Sequence, residues 1–443
     1  MKKTLFILLF GALLLSFAPI APRENLRGQL NLHWSTDIGL TTHRTSPIIT
    51  GKQIYIGSNG SHFQDHAIDK KNGVLVLNKK TGKLIRRHAN QSFGDMDVNG
   101  ILRVEDKIIF GNDNDEIYCF KTSGEKLWRL PTSGDIEHKP THLRVDGKDV
   151  AIFATETGEV RALNIEDGTT VWSHYNKRFS GWKQGDNRTV FKIKMHFTSG
   201  WIYFNEPSVA DLNGDGVNDL LYNAYFGELI ALNGKSGKIL WEFIIPDDQY
   251  SLQGKLAPTI IGKGTNIRIP ILMYDNNSEQ RKLLLLNRKG KTVSTKNISD
   301  DYSYPLLSQT SNYLITNNNI FPFDGADYKM RKSSDLMYHD GEKVKNRFGD
   351  GQVAEKKIRF MNEECAVIVY QNDYSVKTNQ AILIILGLES RTVHLESYLP
   401  DGSEFIPVIK DLTGDGKLDV LVGCYDEKLY CFDLNIDNSN LLE

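Results

Sequence analysis

A strand-turn-strand cassette that returns along most of the chain constrains its fold more than any other feature. It reads GVLVLNKKTGKLI from Gly73, EIYCFKTSGEKLW from Glu116, GEVRALNIEDGTTVW from Gly158, GELIALNGKSGKILW from Gly227, KLLLLNRKGKTV from Lys282 and EKLYCFDLN from Glu427. Each copy is an alternating strand, a polar turn and a return strand. The last apolar residue before the turn is Leu77, Phe120, Leu163, Leu232, Leu286 and Phe432, at spacings of 43, 43, 69, 54 and 146 residues. Four-stranded propeller blades repeat at about 40 to 50 residues. The longest gap has room for two more units, SYPLLSQTSNYLITNNNIFPFDG and IRFMNEECAVIVYQND with AILIILGL.

Upstream of most cassettes lies a second strand pair, for example ILRVEDKIIFGND and THLRVDGKDVAIFATE. Four antiparallel strands per unit, in a chain with 37 Gly, 18 Tyr and 20 Phe, predict an all-β eight-bladed β-propeller, with seven blades as the alternative. Radial closure hides the strand edges that separate sheets would expose. The last unit has no return strand, whereas NLHWSTDIG, with Trp34, stands alone before the first. The N-terminal strand is therefore expected to complete the last blade and close the ring. Trp34, Trp128, Trp172 and Trp241 recur at one repeat position, which predicts packing between neighbouring blades.

Two segments carry oxygen side chains at alternate positions. DLNGDGVND offers Asp211, Asn213, Asp215 and Asp219, with Gly216 at the turn; DLTGDGKLD offers Asp411, Thr413, Asp415 and Asp419. A hard cation that takes six to eight oxygens needs such spacing, and the flanking strands exclude an EF-hand. Two structural calcium sites are expected, each between the outer strands of its blade.

The return strands KSGKILW, SGEKLW and EDGTTVW resemble the repeats of the PQQ-like β-propeller family, which includes quinoproteins and outer-membrane assembly scaffolds. The two loops resemble FG-GAP-type calcium loops, and that resemblance implies the carbonyls of Val217 and Lys417 as further ligands. The likeness covers most of residues 30 to 435 and implies the fold far more specifically than a function. The adjacent Cys-Cys pair of quinone-dependent dehydrogenases has no counterpart here, so PQQ is not expected.

Loops between units gather on one face of a propeller, around its channel. GLTTHRTSP, SFGDMDVNG, TSGDIEHKP, DDQYSLQGK and FGDGQVAEK place His43, Arg44, Asp95, Asp97, Asp135, Glu137, His138 and Asp350 there. Gly-Asp is also ordinary turn chemistry. If that reading fails, His43, Asp95, Asp135, Glu137 and His138 would bind a polar ligand. NGSHFQDHAIDKKNG brings His62 and His66 beside Asp65 and Asp69, but a loop lacks the helix that makes His-x-x-x-His a metal pair. Residues 173 to 197, with His174 and His196, read as a long basic and aromatic loop suited to binding. No phosphate loop, dinucleotide fingerprint or nucleophile elbow is found in the sequence.

Residues 1–21, with Lys2 and Lys3 before an apolar run, read as a secretory signal peptide and 22–443 as one propeller domain. Ala18 and Ala21 are each followed by proline, which leaves an uncleaved anchor open, and no lipid-anchor cysteine follows. A net charge of -2 argues against nucleic acid. Cys119, Cys365, Cys424 and Cys431 read as buried thiols, with a Cys424–Cys431 disulfide open. The expected product is a secreted, periplasmic or cell-surface monomer that binds a protein or polysaccharide. The alternative is a propeller enzyme, either a polysaccharide lyase or a PQQ-dependent dehydrogenase, with no catalytic residue fixed by spacing.

Overall fold

The computed structural model describes residues 30–61, 71–88, 97–176, 187–190, 193–196, 203, 205–224, 228–246, 249–251, 257–298, 313–315, 319–324, 329–330, 334–335, 337–338, 351–371 and 379–442. Residues 1–21, His62, His66, Asp95 and Asp350 lie outside them.

The described residues form β-sheets with only two short 3-10 turns, Gly264–Asn266 and Asn438–Asn440. The first four-stranded sheet runs Ile48–Thr50, Gln53–Ser58, Gly73–Asn78, Leu84–His88, each strand antiparallel to the next. The same order holds for Ile101–Val104 through Lys126–Pro131, Thr141–Val145 through Thr170–Tyr175, Ser208–Ala210 through Ile239–Phe243, and Gln249–Ser251 through Thr292–Ile298. Tyr313–Ile315, Asn319–Asp324, Lys329–Met330 and Ser334–Asp335 make a further four-stranded sheet. So do Val408–Lys410, Lys417–Gly423, Lys428–Asp437 and Asn31–Asp37. Among the described residues the expectation of eight four-stranded blades is corrected to seven, the number held as the alternative. Residues 337–398 form a six-stranded sheet instead, because Met337–Tyr338 adds in parallel beside Thr392–Tyr398 and Glu363–Tyr370 pairs with two short strands. The long segment at 173–197 is not wholly a loop, since Asn187–Val190 and Ile193–His196 pair as a ribbon.

The N-terminal strand Asn31–Asp37 pairs with Lys428–Asp437, Trp34 opposite Cys431. Its register skips one residue between Leu32 and Trp34. The same skip occurs between third and fourth strands beside Leu77, Phe120, Leu163, Leu232, Leu286 and Leu386. A bulge adds twist and re-aims the strand at a fixed point. Here that point falls at the apolar residue before the turn, the residue on which the repeats align.

Alternation along each central strand feeds two different cores, as period-two side chains must. Ile108 and Phe110 pack towards the first sheet with Tyr55, Val74 and Val76, while Ile109 packs towards the third with Ala151 and Phe153. Val150, Ile152 and Ala154 turn the other way, onto Leu220 and Tyr222 of the next sheet. Both faces of these strands are covered, so they read as unbroken apolar runs.

The tryptophans supply the outer contact. The indoles of Trp34, Trp128, Trp172 and Trp241 rest on Gly82, Gly168, Gly237 and Gly290, each in a turn of the adjoining sheet. A Cβ at Gly237 would stand 2.4 Å from the Trp172 ring, and its φ of +67° disfavours other residues. Trp128 donates its indole N–H to Ile165 O at 3.0 Å, Trp172 to Gly234 O at 3.0 Å and Trp241 to Arg288 O at 2.8 Å. One ring thus pins each junction, and three of the four add a hydrogen bond; the buried Trp34 Nε1 meets no acceptor among the described residues.

Candidate functional site

First strands touch across sheets, Ile48–Thr50 with Ile101–Val104 and that strand with Thr141–Val145, so the first strand is the inner one. Turns alternate between the two ends of an antiparallel sheet. The loops entering each sheet therefore share a face with the turns between second and third strands. The calcium-type loops join first and second strands and lie on the opposite face, between the inner rather than the expected outer pair.

On the loop face, Arg44 pairs through its guanidinium with Glu137. Asn99 Nδ2 also donates to Glu137 Oε2, at 2.9 Å, and Asn99 Oδ1 accepts from Asn59 Nδ2 at 3.0 Å and Thr42 Oγ1 at 3.4 Å. Four entry and turn segments are thereby tied around one carboxylate. His43 Nδ1 lies 3.5 Å from Glu404 Oε2, linking this network to the last sheet.

Around Glu137 the carboxylates crowd. Burial, followed by the negative fields of Glu137, Asp135 and Asp97, raises the Asp113 carboxyl well above its ordinary value, with Arg44 opposing. Asp113 Oδ1 is buried and meets no hydrogen-bond donor among the described residues. Burial, Glu137 and Asp115 push Glu156 up to about 7. Asp115 is raised by burial and eased by a hydrogen bond with Asp135. Like charges this close favour protonation of some members or the arrival of a cation.

Of the residues expected on this face, Asp135, Glu137, Arg44 and His43 are brought together. His138 is not a ligand group. Its Nδ1 is 2.9 Å from Lys139 O, its Nε2 accepts from Ala154 N at 3.2 Å, and burial lowers its pKa to about 4. The imidazole is a neutral strut whose two nitrogens are spent on backbone. Asp113, Asp115 and Glu156 escaped the sequence reading because they occupy turns inside sheets. The signal was present in GNDNDE and ATETGE, which follow second strands and so share the loop face.

On the other face the two Asp-rich loops have the same internal wiring. Asp211 accepts from Gly214 N at 2.6 Å and Gly216 N at 3.0 Å, and Asp411 from Gly414 N at 2.6 Å and Gly416 N at 3.2 Å. Asp215 accepts from Val217 N and Asp415 from Lys417 N, both at 2.9 Å. Asp219 Oδ2 holds the amides of Leu212 and Asn213, and Asp419 Oδ2 those of Leu412 and Thr413. Gly214, Gly216, Gly414 and Gly416 all have positive φ, which lets the chain coil back over the carboxylates. The loops thus hold Asp211, Asn213, Asp215 and Asp219, and the acidic counterparts Asp411, Asp415 and Asp419, in fixed orientation; an oxygen-seeking ion would draw on these side chains with the carbonyls of Val217 and Lys417.

Residues 70–242 match the family described as outer membrane protein assembly factor BamB. The outer membrane protein assembly factor BamB of Shewanella oneidensis is 20% identical over 220 residues, covering 43% of this chain and 49% of that protein. The chain thus spans about half the length of the curated relative it matches. The match supports the PQQ-like repeat resemblance. Quinohemoprotein alcohol dehydrogenase from Comamonas testosteroni aligns over 93% of this chain and 77% of its own, with a TM-score of 0.56 and 15% identity. Sqt1 of Saccharomyces cerevisiae aligns over 92% and 100%, with a TM-score of 0.55 and 10% identity. Likeness at this level shows the propeller fold alone.

Proposed function

We propose that this chain is a propeller scaffold that docks a basic segment of a protein partner on its acidic loop face. The observation that carries this reading is the cluster of Asp97, Asp113, Asp115, Asp135, Glu137 and Glu156, each within the field of at least one other, with Arg44 paired to Glu137. A cationic side chain arriving there would relieve the repulsion that raises Asp113 and Glu156, and so gains more than one meeting an isolated carboxylate. The network of Asn99, Asn59 and Thr42 holds the face in place before a partner arrives, which favours binding. A protein partner is also the reading to which a relative named an assembly factor points. On the reading of residues 1–21 as a signal peptide, the proposed location is the periplasm or cell surface; among the described residues no helix is long and apolar enough to cross a membrane, which says nothing of β-barrels.

Calcium in the two Asp-rich loops would stiffen the inner hairpins of their sheets, and the pairing of Asn31–Asp37 with Lys428–Asp437 would close the ring. Both serve the scaffold by fixing the loop face from behind.

The test measures binding of a fluorescent oligolysine peptide and a labelled anionic oligosaccharide by anisotropy. The peptide should bind, weaken with salt, and bind less to Asp135→Asn and Glu156→Gln. Binding of the oligosaccharide alone, or peptide binding unchanged in both variants, would overturn the reading.

A further inference from the structure

In seven of the described sheets the bulge between third and fourth strands leaves one residue unpaired, and its identity follows a rule with two exceptions. It is Ile85, Leu127, Val171, Leu240 and Val293 in five sheets. In the six-stranded sheet it is His394, whose Nε2 is 2.5 Å from Glu363 Oε1. In the sheet completed by the N-terminal strand it is His33, whose Nε2 is 3.1 Å from Asp419 Oδ1. In both, an aliphatic position has become an imidazole beside an acid, and in the second that acid is buried.

The two Asp-rich loops diverge at this same point. In the first, Asp219 Oδ1 accepts from Gly234 N at 3.1 Å and from Asn233 Nδ2 at 3.2 Å. Asn233 Nδ2 also donates to Asp215 Oδ2 at 3.0 Å, so an amide quenches both carboxylates. Leu220 pairs with Leu232 as Val420 pairs with Phe432, which makes Asp433 the counterpart of Asn233. A donor has been replaced by a third acid. Asp419 is fully buried, and apart from the imidazole of His33 its Oδ1 meets no hydrogen-bond donor among the described residues.

The donor atoms of His33, Asp419 and Asp433 lie within 4.8 Å of one another. Bonds of about 2.0 to 2.2 Å to a zinc-class ion, at angles between square and tetrahedral, set neighbouring N and O ligands about 2.9 to 3.5 Å apart. The 3.1 Å between His33 Nε2 and Asp419 Oδ1 falls in that range. Asn435 N donates to Asp433 Oδ1 at 2.6 Å and orients that carboxylate. The His33 side chain is 28% exposed, so an ion can reach the site from solvent.

We propose that His33, Asp419 and Asp433 bind a divalent ion of the zinc class, which clips the N-terminal strand to the last sheet. The imidazole sets it apart from an all-oxygen calcium site. The site uses the Asp419 oxygen turned away from the loop amides, and it does not depend on the ligand proposed for the loop face. One ion would join residues nearly the whole chain apart.

The experiment uses tag-free protein with calcium present at saturation throughout, so that occupancy of the loops by calcium is common to every sample. Zn2+ is titrated against a chromogenic chelator, melting is followed with and without Zn2+, and Co2+ is added for its visible absorption. His33→Gln and Asp433→Asn are compared with the unaltered chain; the second restores the residue of the first loop, which already folds with it. The unaltered chain should take up one tight Zn2+, melt higher with it and give a nitrogen-ligated Co2+ spectrum. Each variant should lose roughly tenfold or more in affinity together with the melting gain. Absence of tight Zn2+ uptake in the unaltered chain, or uptake equal in both variants, would overturn the assignment.

Discussion

Gly237→Ala tests whether the tryptophan junctions hold neighbouring sheets together. The added methyl would stand 2.4 Å from the Trp172 ring and 2.9 Å from a second ring atom, on a backbone with φ +67°. A non-glycine residue in the left-handed region costs about 1 to 2 kcal/mol. Displacing a packed ring adds about 1 to 3 kcal/mol, and loosening the Trp172 Nε1 bond to Gly234 O adds about 1 kcal/mol. The sum is about 3 to 6 kcal/mol. Gly147→Ala is the control, because Gly147 has φ +79° and nothing within 4 Å of the added methyl. It should lose only the backbone cost. Urea unfolding followed by tryptophan emission and far-ultraviolet dichroism would measure both, with local loss at the junction read from emission first. On a Trp172→Ala background, Gly237→Ala should fall to the cost of the control, since the clash has gone. Equal losses for the two glycines in the unaltered chain, within about 0.5 kcal/mol, would refute the role given to the ring.

His138 should make the fold acid-sensitive. Its folded pKa of about 4 lies below the ordinary 6.5, so as pH falls below 6.5 the unfolded chain takes up a proton that the folded one refuses. Stability present above pH 6.5 is lost towards about pH 4, by about 3 kcal/mol, and His138→Gln should flatten that stretch of the denaturation curve. Arg44→Ala should cost about 3 kcal/mol or more, because Glu137 is only 10% exposed in its side chain and loses its counter-charge; adding Glu137→Gln should recover most of the loss. All four cysteines are free and buried, and burial pushes Cys119 and Cys365 up to about 12 and Cys424 and Cys431 upward as well. A thiol reagent at pH 8 should therefore label none in the folded protein and all four in denaturant.

What could be read in advance was whatever the chain repeats. Alternation in KIIFGN and KDVAIFA is a local consequence of burying both faces of a strand, so it survives in the sequence. The Trp-Gly pairing is nearly as visible, because the turn glycine before each return strand is fixed by backbone geometry. The N-terminal strand was legible for a different reason: an orphan return strand and an incomplete last unit can satisfy their edges only by meeting. The functional groups have no such period. Asp113, Asp115, Asp135 and Glu156 come together because turns within sheets share a face with the connections between them, a fact about strand direction that no single motif displays. His33 is harder still. As a residue it is one histidine in a polar strand; it gains meaning only at a bulge that exists once Trp34 faces Cys431, beside an acid that replaces the amide of the other loop. The repeat is therefore most informative where it is broken, since an imidazole at an aliphatic position and a carboxylate at an amide position depart from the pattern at the same place, and the proposed cation would make the two departures one device.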